Sequence, residues 1–428
     1  MLGNMKGKKI LRVCSAGLYK AQYGKYFEKY GLGRLSYGEA VQKLREDGLL
    51  YPSGFRRHMS EYDWEVYEVV ADFWPLQQLW LQGQGKAEDQ LEIFYQQIEA
   101  IQPDIVYFQE LDVVSRGVRT SLKNKFPFIK LVAGFKGFPP VDYDNYSDID
   151  VVFNAYPAFA AAWQKAGIPI YPLPHCFDPG EALFNLRMGK GGERDIPFAF
   201  VGSTGYGNAN QRHRYELLKF LLRYTDLQVW GLELPVNVFR LEVRAWLLAL
   251  FSLLPNRLLV VLKERVAFIP LAALLFAETV QVKAKRIPAR EWYVGKQPLA
   301  HLFPGRVHAP VSGQDYLRLM GKSQVVLNMH TDVAGEAGNI RMFEATGMGA
   351  CLLVDKREGL AALFADNETV MFTSGQDCLE KARELLTHPS RAGEIAGRGQ
   401  QRTFREHTSK QRCSAINTLF RRELETLE

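Results

Sequence analysis

The chain has 428 residues, 47% of them hydrophobic and 23% charged, with a net charge of +6. These values exclude a disordered or fibrous protein, and the length exceeds what one hydrophobic core supports, so two domains are expected. Five cysteines, Cys14, Cys176, Cys351, Cys378 and Cys413, are odd in number and mostly lie in apolar runs, which fits reduced core thiols better than disulfides or a zinc site.

From Lys6–Lys9 the chain runs straight into the strand-like Ile10–Cys14 without an apolar signal core, so a cytoplasmic protein is expected. Basic residues are not interleaved with aromatics as in nucleic-acid modules, so no nucleic-acid partner is expected. The charge reads as a bias toward anionic partners, either nucleotides or a membrane surface.

In the first half, Lys9–Cys14, Trp64–Val70, Asp104–Gln109, Ile129–Ala133, Ile149–Asn154 and Ile168–Leu173 read as strands. Asp89–Ile101 and Pro157–Ala166 between them have helical periodicity, and such alternation predicts a parallel sheet flanked by helices. Pro172–Pro197, rich in proline and glycine, reads as the connection between domains. A second series follows: strand Pro197–Val201, loop Gly202–Asn210, helix Arg212–Tyr224 and strand Leu227–Trp230, then strand Val325–His330, helix Asn339–Gly347, strand Cys351–Asp355 and helices from Cys378 onward. The predicted fold class is α/β with two Rossmann-like domains: 1–175, a linker over 176–196, 197–405 with a helical insertion at 236–285, and a helix over 406–428. In that insertion Trp246–Leu262 is broken by Pro255, Asn256 and Arg257, and Val266–Ala277 is too short to span a bilayer. The insertion is either a helical pair packed on the second domain or, through residues 246–277, a peripheral membrane contact.

The most informative stretch is Val325–Asp355. A strand ends at Asn328 and His330, a loop carries Asp332, Glu336 and Gly338, and a helix starting at Asn339 carries Arg341 and Glu344. In open α/β sheets ligands lie beyond the carboxyl ends of the strands. A helix start there offers unpaired N–H groups to a diphosphate, and Arg341 can grip phosphate oxygens in two places. Glu344, about one turn into the helix, can accept hydrogen bonds from ribose hydroxyls; the carboxylate alone is equally a partner for Arg341 on a solvated face. His330 is either a core histidine or a ligand contact. In the first domain Gly17 and Tyr19 follow the first strand and Glu110 and Asp112 follow the third, which places all four at the cleft, where an acceptor-activating base or plain structural hydrogen bonding is expected. The acidic triplets Asp142–Asp144 and Asp148–Asp150 read as loop and strand-edge residues, so neither a metal nor another cofactor is expected.

These residues resemble the glycosyl-transferases-group-1 family, in the branch that includes CgeB-like spore-maturation proteins. The resemblance rests on Leu327–His330, Asp332, Asn339–Arg341 and Phe343–Gly347, with Pro103–Tyr107, Leu173–His175, Phe177–Pro179, Phe200–Ser203, Glu406–Thr408 and Arg412 beyond them. It implies the GT-B architecture, with a nucleotide-sugar donor on the second domain and a glycan or lipid-linked acceptor on the first. Glu344 would then contact the donor ribose. Arg341, Asn339, Gly202 and Ser203 would face the diphosphate, with His330 and Asp332 beside them, and Glu336 would lie near the transferred sugar. The implied reaction is metal-independent hexosyl transfer. A sugar-nucleotide-binding scaffold without turnover, or a GT-B epimerase or phosphorylase, fits the same motifs.

Overall fold

The computed structural model describes the chain except residues 1–6, 51, 83–86, 88, 138–139, 141, 179–193, 207–210, 232, 234–237, 266–274, 277, 281–282, 284–296, 332–334 and 428. Among the described residues, twelve strands form two six-stranded sheets. The first holds β1 (Lys9–Cys14), β2 (Glu65–Val70), β3 (Ile105–Phe108), β4 (Leu131–Phe135), β5 (Val151–Asn154) and β6 (Ile170–Pro172), in the order β2-β1-β3-β4-β5-β6. The second holds β7 (Ile196–Val201), β8 (Gln228–Trp230), β9 (Val307–His308), β10 (Ser323–Asn328), β11 (Cys351–Asp355) and β12 (Val370–Phe372), in the order β12-β11-β10-β7-β8-β9. Every pairing is parallel. That is why β3, β4, β5 and β11 are buried along their whole length, and apolar but for the closing Asn154 and Asp355: helices cover both faces of a parallel sheet.

The helices follow the expected periodicity. Asp89 caps Gln90–Ile101 by accepting from the Glu92 N–H, and the helix buries Ile93, Phe94, Gln97 and Ile98 at i, i+1, i+4 and i+5. Some expected strands are displaced. The strand expected at Ile129–Ala133 starts at Leu131, because the Ile129 N–H closes a turn on the Phe126 carbonyl. The strand expected to reach His330 stops at Asn328, since the His330 N–H turns to the Asp355 carboxylate. The short strands β9 and β12 and the helices between β1 and β2 have no counterpart in the sequence reading.

The chain crosses between the halves twice, and the crossings touch. The Phe177 N–H donates to the His407 carbonyl (2.7 Å) and the Ser409 N–H to the Phe177 carbonyl (3.0 Å). Asp178 fixes this junction, accepting from the Ser53 hydroxyl (2.7 Å), the Gly54 N–H (2.6 Å) and the Ser409 hydroxyl (3.1 Å). After the return crossing, the helix Ser409–Leu427 packs on the first sheet, where Cys413, Ile416 and Phe420 join Ile10, Ile105 and Val151 in one core. Arg412 binds the carbonyls of Pro174, His175 and Glu406, holding this helix to the first crossing. Within the first half, buried Arg12 on β1 is paired with Glu68 on β2 (2.7 Å), which also binds Arg45; removing either partner would strand a buried charge. In the insertion, helices Val238–Phe251 and Asn256–Arg265 flank Pro255, and most of Val266–Ala277 lies outside the described residues.

Candidate functional site

The carboxyl ends of β7 and β10 lie side by side, because those strands pair directly. β7 ends at Val201, and Gly202 follows with φ +143, a conformation that L side chains rarely adopt. The space is taken as well: a Cβ at Gly202 would lie 2.5 Å from Nη2 of Arg341. The glycine therefore lets the guanidinium lie against the end of β7, over the Phe200 ring at 5.8 Å.

Arg341 sits in the first turn of the helix Ile340–Gly347. Asn339 precedes this helix without capping it; its Nδ2 donates to the Met329 carbonyl at 3.3 Å. The first-turn N–H groups are thus free of any side-chain cap from Asn339. Glu344, half-buried one turn on, accepts from the Tyr316 hydroxyl. Burial raises the Glu344 carboxyl above its usual range, against the opposing pull of the Tyr316 hydrogen bond and the Arg341 charge.

Among the described residues, buried polar atoms without partners gather at this end of the sheet. They are both side-chain atoms of Asn328, Oδ1 of Asn339 and Nε of Arg341. Each such atom costs about 1 to 3 kcal/mol when left unpaired in a folded protein, so a cluster of them calls for an explanation, and a polar ligand supplies one. Asn328 is wholly buried at the last position of β10. It belongs to the quoted motif, yet sequence reasoning gave it no role.

His330 is buried with both ring nitrogens engaged. Nδ1 lies 2.7 Å from the Asp355 carboxylate, and Nε2 accepts the Gly338 N–H at 3.2 Å. The ring therefore positions the loop leading to Asn339, rather than presenting a nitrogen to a ligand in this state. Burial would raise the Asp355 carboxyl, but the hydrogen bonds from His330 and Arg357 hold it below the ordinary aspartate range. The Ser203 hydroxyl is turned inward to Gln211 (2.8 Å) and shapes the loop after β7. Arg214, missed in the sequence, ties that loop to the next by donating to the carbonyls of Met329 (2.9 Å) and Ser203 (3.4 Å). Glu336 lies at a contact between the halves, where its carboxylate accepts the Ala158 N–H at 2.9 Å. Asp332 lies outside the described residues.

On the first sheet, Asp72 organises the turn after β1. It accepts from the Ser15 hydroxyl and from the Ala16 and Gly17 N–H groups at 2.7 to 3.0 Å. Gly17 has φ +49, and Tyr19 next to it is exposed. At the ends of β3 and β4, Lys136 bridges Glu110 (3.7 Å) and Asp112, and the Tyr146 hydroxyl also donates to Asp112 at 2.5 Å. The two acids are pushed apart. Burial raises the Glu110 carboxyl, with Lys136 opposing and the Asp112 charge adding to the rise. Burial acts upward on Asp112 too, but its bonds to Lys136 and Tyr146 prevail and hold it below the usual range. Sequence spacing gave no signal for Lys136, Asp72 or Tyr316, because each reaches its partner across tens of residues.

Residues 281–418 match the family model described as glycosyl transferase-like. A search of the curated proteins returned no match. Among solved structures the chain is similar to sucrose-phosphate synthase from Thermosynechococcus elongatus, at 10% identity over 98% of this chain and 100% of that one, with a TM-score of 0.53. It is also similar to the HepE protein of Anabaena in complex with UDP and glucose (10% identity, 98% and 100% covered, TM-score 0.48). A third similar structure is AviGT4, a glycosyltransferase involved in avilamycin A biosynthesis (14% identity, 89% and 90% covered, TM-score 0.47). At such identities structural likeness speaks for the fold alone. The chain has the α/β architecture of GT-B glycosyltransferases, and its carboxyl-terminal part carries a glycosyl transferase-like domain.

Proposed function

We propose that this protein is a hexosyltransferase that moves a sugar from a nucleotide-sugar to a glycan or lipid-linked acceptor of cell-envelope type, in the manner of the CgeB-like branch. The observation that carries the reading is the cluster beyond β7 and β10, where Arg341 and an uncapped helix start meet Gly202 with Glu344 one turn away. An anionic diphosphate fits the helix start and the guanidinium. Ribose hydroxyls fit Glu344, a carboxylate that burial raises above its usual range although Tyr316 donates to it and Arg341 lies near. The HepE complex with UDP and glucose supplies the ligand class that the reading assigns to this chain.

In transfer, the bond between the sugar carbon and the diphosphate oxygen breaks as the acceptor oxygen bonds to that carbon. Arg341 and the helix N–H groups stabilise the departing diphosphate without a divalent ion. Glu110, with its raised carboxyl at the facing end of β3, receives the acceptor's proton. Asp112, held as an anion, positions Lys136.

The test is release of nucleoside diphosphate from a panel of UDP-, GDP- and dTDP-sugars, with and without a cell-envelope acceptor and in excess chelator. Acceptor-dependent release that survives the chelator is expected. Donor binding without release would mark a scaffold. Conversion without acceptor would mark an epimerase, and a strict phosphate requirement a phosphorylase. Activity lost in chelator and restored by magnesium would overturn the metal-independent step.

A further inference from the structure

The helix Val238–Phe251 and the turn after it carry an exposed apolar stripe. Phe239, Val243, Trp246 and Leu250 recur at steps of four, three and four, which places them on one face of the helix, and Leu253 follows in the turn after it. All five are exposed, Phe239 at 74% and Leu253 at 81%. Leu258 and Val261 add exposed apolar positions on the next helix, Asn256–Arg265. The inward side is occupied separately: Ala245, Leu248 and Leu259 are buried, Phe251 stacks on Phe276 at 4.9 Å, and Arg244 pairs with Glu278 at 3.0 Å. The stripe is therefore not a core face exposed by loose packing. Single exposed apolar residues are ordinary, but seven on neighbouring helices form a patch that marks an interaction surface.

Charge indicates what covers it. Residues 238–290 contain nine lysines and arginines against three acidic residues, an excess equal to the +6 net charge of the whole chain. Within it, the 238–265 pair that bears the stripe has five basic residues against two acidic ones, and the other 375 residues of the chain are balanced. Two such basic segments on two copies of the chain would repel each other, whereas an anionic lipid surface attracts them. No described helix is long and apolar enough to cross a membrane, so the contact is interfacial, with the helix lying in the plane of the headgroups.

We infer that the 238–265 helical pair docks this protein on anionic membrane surfaces through Phe239, Val243, Trp246, Leu250 and Leu253. The insertion leaves the second sheet at the carboxyl end of β8, the edge at which the Gly202 N–H meets the Trp230 carbonyl.

The test is flotation of the full chain with vesicles of phosphatidylcholine alone or mixed with phosphatidylglycerol, a readout that needs no turnover and so stands apart from the proposed activity. Wild type should float with the mixed vesicles, less so in high salt, and hardly with phosphatidylcholine alone. Trp246→Glu with Leu250→Glu should lower partitioning by at least about tenfold, because both side chains lose their apolar insertion and bring charges that anionic headgroups repel. Both positions are exposed, and an unchanged melting temperature confirms the fold. Failure to float with mixed vesicles overturns the inference, as does equal flotation of the folded double variant. A wild-type dimer in sedimentation that the same substitutions abolish, without lipid binding, overturns it in favour of a second copy.

Discussion

Replacing Glu344 with Gln separates a ligand-binding carboxylate from a structural one, because the two roles predict opposite stability effects. The side chain is half-buried, accepts from Tyr316 and has a raised carboxyl whose first cause is burial. A raised pKa means that the folded chain disfavours the ionised form, so the group's stabilising contribution holds below the ordinary carboxylate range and is lost as pH rises through the folded value. Gln removes that disfavoured charge while keeping an acceptor for Tyr316. The ligand-free variant should melt at or above the wild-type temperature. Binding of nucleoside diphosphate should move the other way. Hydrogen bonds to a charged acceptor contribute about 1.5 to 3 kcal/mol against about 0.5 to 1.5 for a neutral one, so calorimetry should show Kd higher by roughly five- to twelve-fold. Wild-type binding should also weaken as pH falls through the raised Glu344 pKa, and the variant should lack that limb. Wild-type affinity in the folded variant would refute the assignment of this helix to the donor.

Three further substitutions test other parts of the site. Gly202→Ala places a Cβ 2.5 Å from Arg341 at φ +143; backbone strain of about 1 to 3 kcal/mol and a displaced guanidinium should lower nucleoside diphosphate affinity at least tenfold by calorimetry, and unchanged affinity would contradict the phosphate role of Arg341. Asp355→Asn weakens the charge-assisted bonds to His330 and Arg357 and should cost about 2 kcal/mol, read as a fall of several degrees in thermal melts. Because the Asp355 pKa is depressed, its stabilisation is present above the ordinary aspartate range and is lost as pH falls through the folded value, so the gap between variant and wild type should close in acid. Glu110→Gln should lower kcat by about 10²- to 10⁴-fold with diphosphate affinity unchanged. Equal kcat in a steady-state assay would remove Glu110 as the base.

The sequence by itself determined the strand and helix periods, and these fix which residues lie on which face. Alternating apolar runs and helical patterns were enough to read β1, β3, β5, β7, β10 and β11 and to place Asn339–Glu344 at a strand end, because that geometry is local. The insertion's apolar character was equally legible, since composition alone carries it. Short strands such as β9 and β12, two and three residues long, were not, because so few residues hold no period. Tertiary structure decided everything that depends on a distant partner. The carboxylate of Glu336 meets Ala158, 178 residues away. The helix Ser409–Leu427 returns to the first sheet, whose core it completes. Tyr316 reaches Glu344 from a preceding helix, and His330 is locked by Asp355 from the next strand. A periodic pattern states that a face is apolar or polar; whether it meets a core, a carboxylate or solvent is settled only when the chain closes on itself, which is how the same spacing buries Leu248 and leaves Trp246 exposed.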